Sequence, residues 1–122
     1  MIKGLGTDIV EVYRIAKKMG NQKFLDRTFT SHEQDYCNAQ KYPAQHFAGR
    51  FCAKEAYMKA LGTGWSSNAD FKDIEIVHSS NHEPKIVLRN ASKTLFEERG
   101  LKQVKLSISH TETIAMAVVA IM

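Results

Sequence analysis

The chain is poor in cysteine and proline, and it has no long apolar run. It holds only Cys37 and Cys52 in 122 residues, both in stretches whose pattern predicts helix. Two cysteines without a secretion signal argue for reduced thiols rather than a disulfide framework. The histidines are scattered, and no Cys/His spacing matches a zinc site. No apolar stretch approaches the roughly 18 to 20 residues that span a bilayer. Lys3, Gly4 and Gly6 interrupt the segment where a signal peptide would be continuously apolar. The expectation is a soluble, cytoplasmic protein with no membrane partner. A Gly-x-Ser-x-Gly elbow, a Walker A loop and a Gly-x-Gly-x-x-Gly turn are also missing, which argues against the common hydrolase, P-loop and dinucleotide sites. Low-complexity tracts and internal repeats are absent too.

What is present fits one domain over residues 1–122, with 43% hydrophobic and 25% charged residues. A formal charge of +4 and a pI near 9.1 mildly favour an anionic partner. The basic residues are not gathered into a tail, so their positions matter more than their total.

Ile2 to Val10 reads as a strand whose two glycines suggest close approach by another backbone or a ligand. Val12, Ile15, Ala16 and Met19 then recur at helical spacing, with Gly20 as the expected stop. The opposite face of that helix carries Arg14, Lys17 and Lys18, either a solvated face or a docking stripe. Thr30-Ser31-His32-Glu33 has the form of a capping box, starting a helix that ends before Pro43. The next helix, about Ala44 to Leu61, gathers Gly49, Ala53, Ala56 and Ala60 into one narrow stripe that lets another element pack close. Phe71 to Val77 and Lys85 to Leu88 read as a hairpin around Ser79 to Pro84. Asn90 is placed to cap a helix running to Arg99 and stopped by Gly100. Val104 to Ser109 alternates, and Ala115 to Ile121 is a nearly continuous apolar run expected to be central and buried. These elements predict an α+β domain: a small, largely antiparallel sheet with helices packed on one side.

The chemistry sits in two separated stretches, Gly4 to Glu11 and Phe47 to Gly64. Each places a lone carboxylate, Asp8 or Glu55, among small and basic residues. A carboxylate in an apolar strand is costly to bury without a charge partner. Two of them beside Arg and Lys would hold a hard cation against a phosphate, since Mg²⁺ takes one or two carboxylates, waters and the substrate's own oxygens. Mn²⁺ suits the same ligands. The plainer alternative for Glu55 and Lys59, four apart, is a surface ion pair worth a few tenths of a kcal/mol. Gly62-Thr63-Gly64 should end the helix with free backbone donors. Ser107, Ser109 and His110 lie at a strand end, either as ordinary turn residues or as a polar edge for a phosphate.

Taken together and in order, these stretches resemble the bacterial holo-acyl-carrier-protein synthases of the phosphopantetheinyl transferase superfamily. The resemblance rests on Gly-Leu-Gly-Thr-Asp-Ile-Val-Glu-Val at 4–12 and Phe-Thr-x-x-Glu-x-x-Tyr-Cys at 29–37. It continues through Phe-Ala-Gly-Arg-Phe-x-Ala-Lys-Glu-Ala at 47–56, Lys-Ala-Leu-Gly-Thr-Gly at 59–64 and Ser-Ile-Ser-His-Thr at 107–111. It covers nearly the whole chain, and the length fits the small single-domain branch. Three departures stand out. Cys52 replaces a usual alanine, Asn81-His82-Glu83-Pro84 lacks the glycine often found before that proline, and Trp65-Ser66-Ser67 follows Gly64.

The resemblance implies transfer of 4′-phosphopantetheine from coenzyme A to a serine of apo-acyl carrier protein, in support of fatty acid biosynthesis. It implies release of adenosine 3′,5′-bisphosphate and a homotrimer with active sites between subunits. Asp8 and Glu55 would hold Mg²⁺ on the coenzyme A pyrophosphate, and Lys59 would offset the charge that develops there. Arg50 suits a ribose phosphate. Lys54, Gly62, Thr63, Gly64, Ser107, Ser109 and His110 would complete the coenzyme A site. Glu55 is the better candidate by chemistry for taking the serine proton, directly or through a metal-bound water. Arg14, Lys17 and Lys18 would dock the acidic carrier. Two rivals remain at this level. One is another metal-dependent pyrophosphate-cleaving enzyme. The other is a nucleic-acid module, which accounts for the charge but not for Asp8 and Glu55; on the first reading no nucleic acid is bound.

Overall fold

The computed structural model describes residues 1–64 and 69–122, so Trp65-Ser66-Ser67 lies outside the described residues. The chain runs β1 (Gly4–Glu11), α1 (Val12–Lys18), α2 (Gln22–Thr28), α3 (Ser31–Asn38) and α4 (Pro43–Leu61). After a 3-10 turn at Phe71–Asp73 come β2 (Ile74–His78), β3 (Pro84–Leu88), α5 (Asn90–Glu98), β4 (Val104–His110) and β5 (Ile114–Ile121). The α+β class is as expected. The strands form two antiparallel units, a three-stranded sheet in the order β1-β5-β4 and the β2-β3 hairpin.

The small-residue stripe of α4 meets the two glycines of β1. A Cβ on Gly4 would strike the carbonyl oxygen of Ala60, and one on Gly6 would strike that of Ala56. The close neighbour predicted for each element is therefore the other. Gly49 continues the contact, because a Cβ there would lie 3.0 Å from Ile108 Cγ2 of β4. With the sheet on one side and α1, α3 and β2 on others, α4 is buried almost all round, including Phe47, Ala48, Cys52, Ala53, Tyr57 and Met58. Cys37 and Cys52 are free thiols in this core. Burial pushes both up to about 12.

β5 is central, as its composition suggested, but only one of its faces is buried. Ala115, Ala117, Val119 and Ile121 face α4, whereas Met116 on the other face is 41% exposed. Alternate side chains of a strand point to opposite faces, and the helices cover one face only. The outer face is built of rows that cross the sheet, Leu5–Ala120–Lys105, Thr7–Val118–Ser107 and Ile9–Met116–Ser109.

Local signals account for most boundaries. Thr30 and Glu33 form the predicted capping box at the start of α3, which ends at Asn38, before Pro43 opens α4. α2 was not anticipated, although Asn21 caps it by accepting hydrogen bonds from Lys23 N (3.0 Å) and Phe24 N (3.3 Å). Ala16 is exposed rather than part of the apolar face of α1. Asn90 does not cap α5; its amide reaches Asp73 Oδ1 at 2.9 Å, and Arg89 occupies the cap position. Gly62 ends α4 at φ +86°, with Gly62 N donating to Lys59 O and Thr63 N to Met58 O. These are the two bonds of a Schellman motif. The backbone donors of Gly62 and Thr63 are therefore used by the helix, contrary to expectation.

Because the atoms facing Gly6 are backbone, Gly6→Ala cannot be relieved by a rotamer change. It should destabilise the fold by about 3 kcal/mol, the upper end of ordinary overpacking, and lower the urea midpoint accordingly.

Candidate active site

Gly4, Gly6 and Asp8 lie on one face of β1, the face toward α4. With Gly4 on Ala60 and Gly6 on Ala56, Asp8 arrives beside the next helical turn down. There its charge acts on Cys52 and on Glu55. Lys59 Nζ lies 3.0 Å from Asp8 Oδ1, with side-chain exposures of 54% and 16%. Burial, and then the neighbouring Asp8, push the Glu55 carboxyl above the usual carboxylate range, and Lys59 only partly opposes this. Asp8, Arg14, Lys18, Phe51, Glu55 and Lys59 line one open pocket of about 340 Å³. The sequence-predicted catalytic residues are thus brought together from β1 and α4, with the basic helix α1 as a wall. Lys17 also lies on α1, where its Nζ donates to Tyr13 Oη at 3.0 Å.

The donor set fits a hard divalent cation held largely by other ligands. Asp8 helps to raise the proton affinity of Glu55, which an added cation would relieve, and the open pocket leaves room for waters and phosphate oxygens. Among the described residues no group of three or more His, Cys, Asp or Glu side chains is arranged to cage a metal. Two carboxylates with space for waters and phosphate oxygens are the kind of donor set that suits Mg²⁺.

Arg50 and Lys54 share α4 with Glu55 but take other roles. Lys54 is corrected from a substrate-binding residue to an internal one. It is fully buried, and Nζ donates to Glu33 Oε1 and to the Phe71 carbonyl, each at 2.8 Å. Glu33 in turn accepts from Thr30 N (2.9 Å) and Ile76 N (2.8 Å), so the pair ties α3 and β2 to α4. Burial lowers the Lys54 pKa and Glu33 opposes the shift.

Arg50 lies five residues before Glu55, about 140° around the helix and roughly 7.5 Å along it. It opens onto a separate pocket of about 200 Å³ together with Tyr36, His46, His78, His82 and His110. Of the strand-end group only His110 reaches that pocket. Ser107 and Ser109 are exposed on the outer sheet face. Gly62, Thr63 and Gly64 line neither pocket. A further hollow of about 550 Å³ between α5, β3 and β4 holds neither Asp8 nor Glu55. His46, His78 and His82 were missed in the sequence because they come from different elements at spacings that carry no pattern.

The profile of the 4′-phosphopantetheinyl transferase superfamily matches residues 4–119. The chain is 42% identical over 123 aligned residues to a holo-[acyl-carrier-protein] synthase of Geobacter sp. (strain M21), covering 99% of this chain and 98% of the relative. It is similar to the crystal structure of a Neisseria meningitidis holo-[acyl-carrier-protein] synthase, with TM-score 0.92, 36% identity, and coverage of 100% and 99%. The Helicobacter pylori synthase in complex with coenzyme A is also similar, with TM-score 0.85, 35% identity, and coverage of 97% and 99%.

The two lysines of α4 should separate on substitution. Lys54→Ala leaves Glu33 buried without its partner and should cost about 3–5 kcal/mol. Lys59→Ala removes an exposed pair worth at most about 1 kcal/mol. Thermal unfolding should therefore barely move for Lys59→Ala, while transfer turnover falls.

Proposed function

The chain belongs to the holo-[acyl-carrier-protein] synthase family of the 4′-phosphopantetheinyl transferase superfamily, and on that basis we propose that it transfers 4′-phosphopantetheine from coenzyme A to a serine of apo-acyl carrier protein, serving fatty acid biosynthesis in the cytoplasm. The observation that carries this reading is the convergence of Asp8 and Glu55 from β1 and α4, with Lys59 on Asp8, in a pocket walled by basic α1.

In this reaction the serine Oγ forms a bond to the phosphorus that bears the pantetheine. The bond from that phosphorus to the oxygen bridging the pyrophosphate breaks, and adenosine 3′,5′-bisphosphate leaves with that oxygen. Glu55 accepts the serine proton. Lys59, exposed and free to swing from Asp8 to a phosphate, offsets charge gathering on the leaving oxygens. Asp8 and Glu55 would hold Mg²⁺, or Mn²⁺, which supplies Lewis-acid neutralisation of the pyrophosphate. Arg50 binds a ribose phosphate of coenzyme A. The residue is 3% exposed, and its Nε has no hydrogen-bond partner.

Arg50 and Glu55 open onto different pockets of one chain, which supports active sites shared between copies. The outer sheet face supports the same reading, since Leu5, Ile9 and Met116 are 63%, 67% and 41% exposed there, and Ile9 also edges the Asp8 pocket. Contiguous apolar surface of this kind marks association sites. A homotrimer closed on this face would carry Ser107 and Ser109 into the interface.

Mass spectrometry of apo-acyl carrier protein incubated with the protein, coenzyme A and Mg²⁺ should show a gain of one phosphopantetheine group. Asp8→Ala or Glu55→Ala should abolish that gain; near-normal turnover at limiting Mg²⁺ would refute the two-carboxylate site.

Metal binding also has a readout independent of turnover. The raised Glu55 pKa means that folded-state stability is lost as pH rises through that value. Glu55→Gln should therefore raise the melting temperature at pH 7 without Mg²⁺. Added Mg²⁺ should raise it for the native sequence and not for the variant.

Arg14 and Lys18 line the same pocket as Asp8, where an acidic carrier would present its serine. Arg14→Glu should slow carrier association roughly tenfold or more at low salt while coenzyme A affinity holds. Stopped-flow binding at two salt concentrations measures this, and the defect should shrink at the higher one.

A further inference from the structure

Arg50 is a buried cation left without an anion. Among the described residues no carboxylate pairs with it. Its Nη2 meets His78 Nδ1 at 3.2 Å, and Nε has no partner. A guanidinium cannot give up its proton, so an Nδ1 that accepts from it belongs to a neutral His78. The Tyr36 ring lies 4.2 Å from the guanidinium carbon and stacks on the His78 ring at 4.7 Å and 15°, which fixes both groups in place. An unpaired buried charge is costly unless something else compensates it.

Four of the five histidines line the pocket onto which Arg50 opens. His46 comes from α4, His78 from β2, His82 from the turn before β3 and His110 from β4, with the His46 and His110 ring centroids 5.7 Å apart. The facing groups are otherwise Tyr36 from α3 and the uncharged Gln45 of α4. Glu83 faces the neighbouring hollow between β3 and β4, and Glu33 is committed to Lys54. Burial, and then Arg50, lower the pKa of both His46 and His78.

His82 adds a separate observation. Its backbone sits at φ +65°, in the left-handed region, which is strained for a residue with a Cβ. Glycine would hold that turn without strain, yet the chain places an imidazole there, at the pocket edge. Strain of this kind points to a function for the side chain.

We propose that His46, His78 and His82 complete, with Arg50 and His110, a site for a phosphomonoester dianion that takes up a proton as the ligand binds. The proposal rests on the reading that Arg50 meets a ribose phosphate of coenzyme A, and it assigns the histidines to that reading. In the empty pocket Arg50 opposes any further positive charge. A phosphomonoester, dianionic above its second pKa of about 6, reverses the local field. An imidazole that is neutral beside Arg50 then gains a proton and donates a hydrogen bond to the phosphate. The site therefore selects a terminal monoester over the singly charged diester units of a pyrophosphate.

Calorimetric titration of the intact protein with coenzyme A and with 3′-dephospho-coenzyme A, in Mg²⁺ at pH 7.5 and in two buffers of different ionisation enthalpy, tests this. Coenzyme A should take up close to one proton per site more than its dephospho analogue. The preference for coenzyme A should then fall roughly tenfold per pH unit between pH 7 and 8. His78→Asn and His46→Asn, each checked for an unchanged melting curve, should flatten that dependence. His82→Gly should raise the melting temperature and weaken the preference. A coenzyme A preference with no extra proton uptake would overturn the proposal and leave Arg50 as the phosphate ligand. Equal affinity for both ligands at every pH, unaffected by Arg50→Ala, would remove the underlying reading as well. The first measurement needs no variant, so misfolding cannot blur the result.

Discussion

The backbone contact between β1 and α4 is the constraint on which the rest of the molecule depends. Gly4 and Gly6 have no side chains, so the strand lies against the carbonyls of Ala60 and Ala56 at a distance no other residue allows. That distance sets the register of Asp8 against Glu55 and Lys59. It also places α4 deep enough that α1, α3 and β2 can cover its other sides. Two carboxylates on separate elements become neighbours because two glycines a few residues away remove the spacing a Cβ would impose.

One helix carries three cations, and the fold treats each differently. Lys54 is compensated inside the protein by Glu33, which is itself held by two backbone donors. Lys59 is half exposed on Asp8 and keeps the freedom to exchange one anion for another. Arg50 is as buried as a core residue, yet it is given an imidazole and a phenol ring in place of a carboxylate. Compensation within the chain marks a structural charge. Arg50 alone of the three is buried without such compensation, the setting in which we propose that it meets a ligand.

The sheet follows the same economy of cover. Its inner face is closed by α4, while its outer face carries leucine, isoleucine and methionine next to Ser107 and Ser109. The carboxylate pocket reaches the rim of this face through Ile9. The arginine pocket opens elsewhere along α4. A single chain thus holds two separate charged pockets, with an uncovered apolar surface adjoining one of them.

Much of this was legible in the sequence. The Thr30–Glu33 capping box, the Gly/Ala stripe, the alternation of β4 and the apolar run of β5 are local patterns, and local geometry reproduces them. Asp8 and Glu55 stood out because a carboxylate in an apolar setting needs a reason wherever it lies. The family motifs pointed to the same pair. Tertiary structure alone decided the rest, because burial and pairing depend on residues distant in the chain. Lys54 looked like a ligand-facing neighbour of Glu55 until Glu33, 21 positions away, closed over it. Ser107 and Ser109 share a face by alternation, but which face depends on where α4 packs. The histidines around Arg50 come from separate elements, and no spacing in the chain reveals that one pocket collects them.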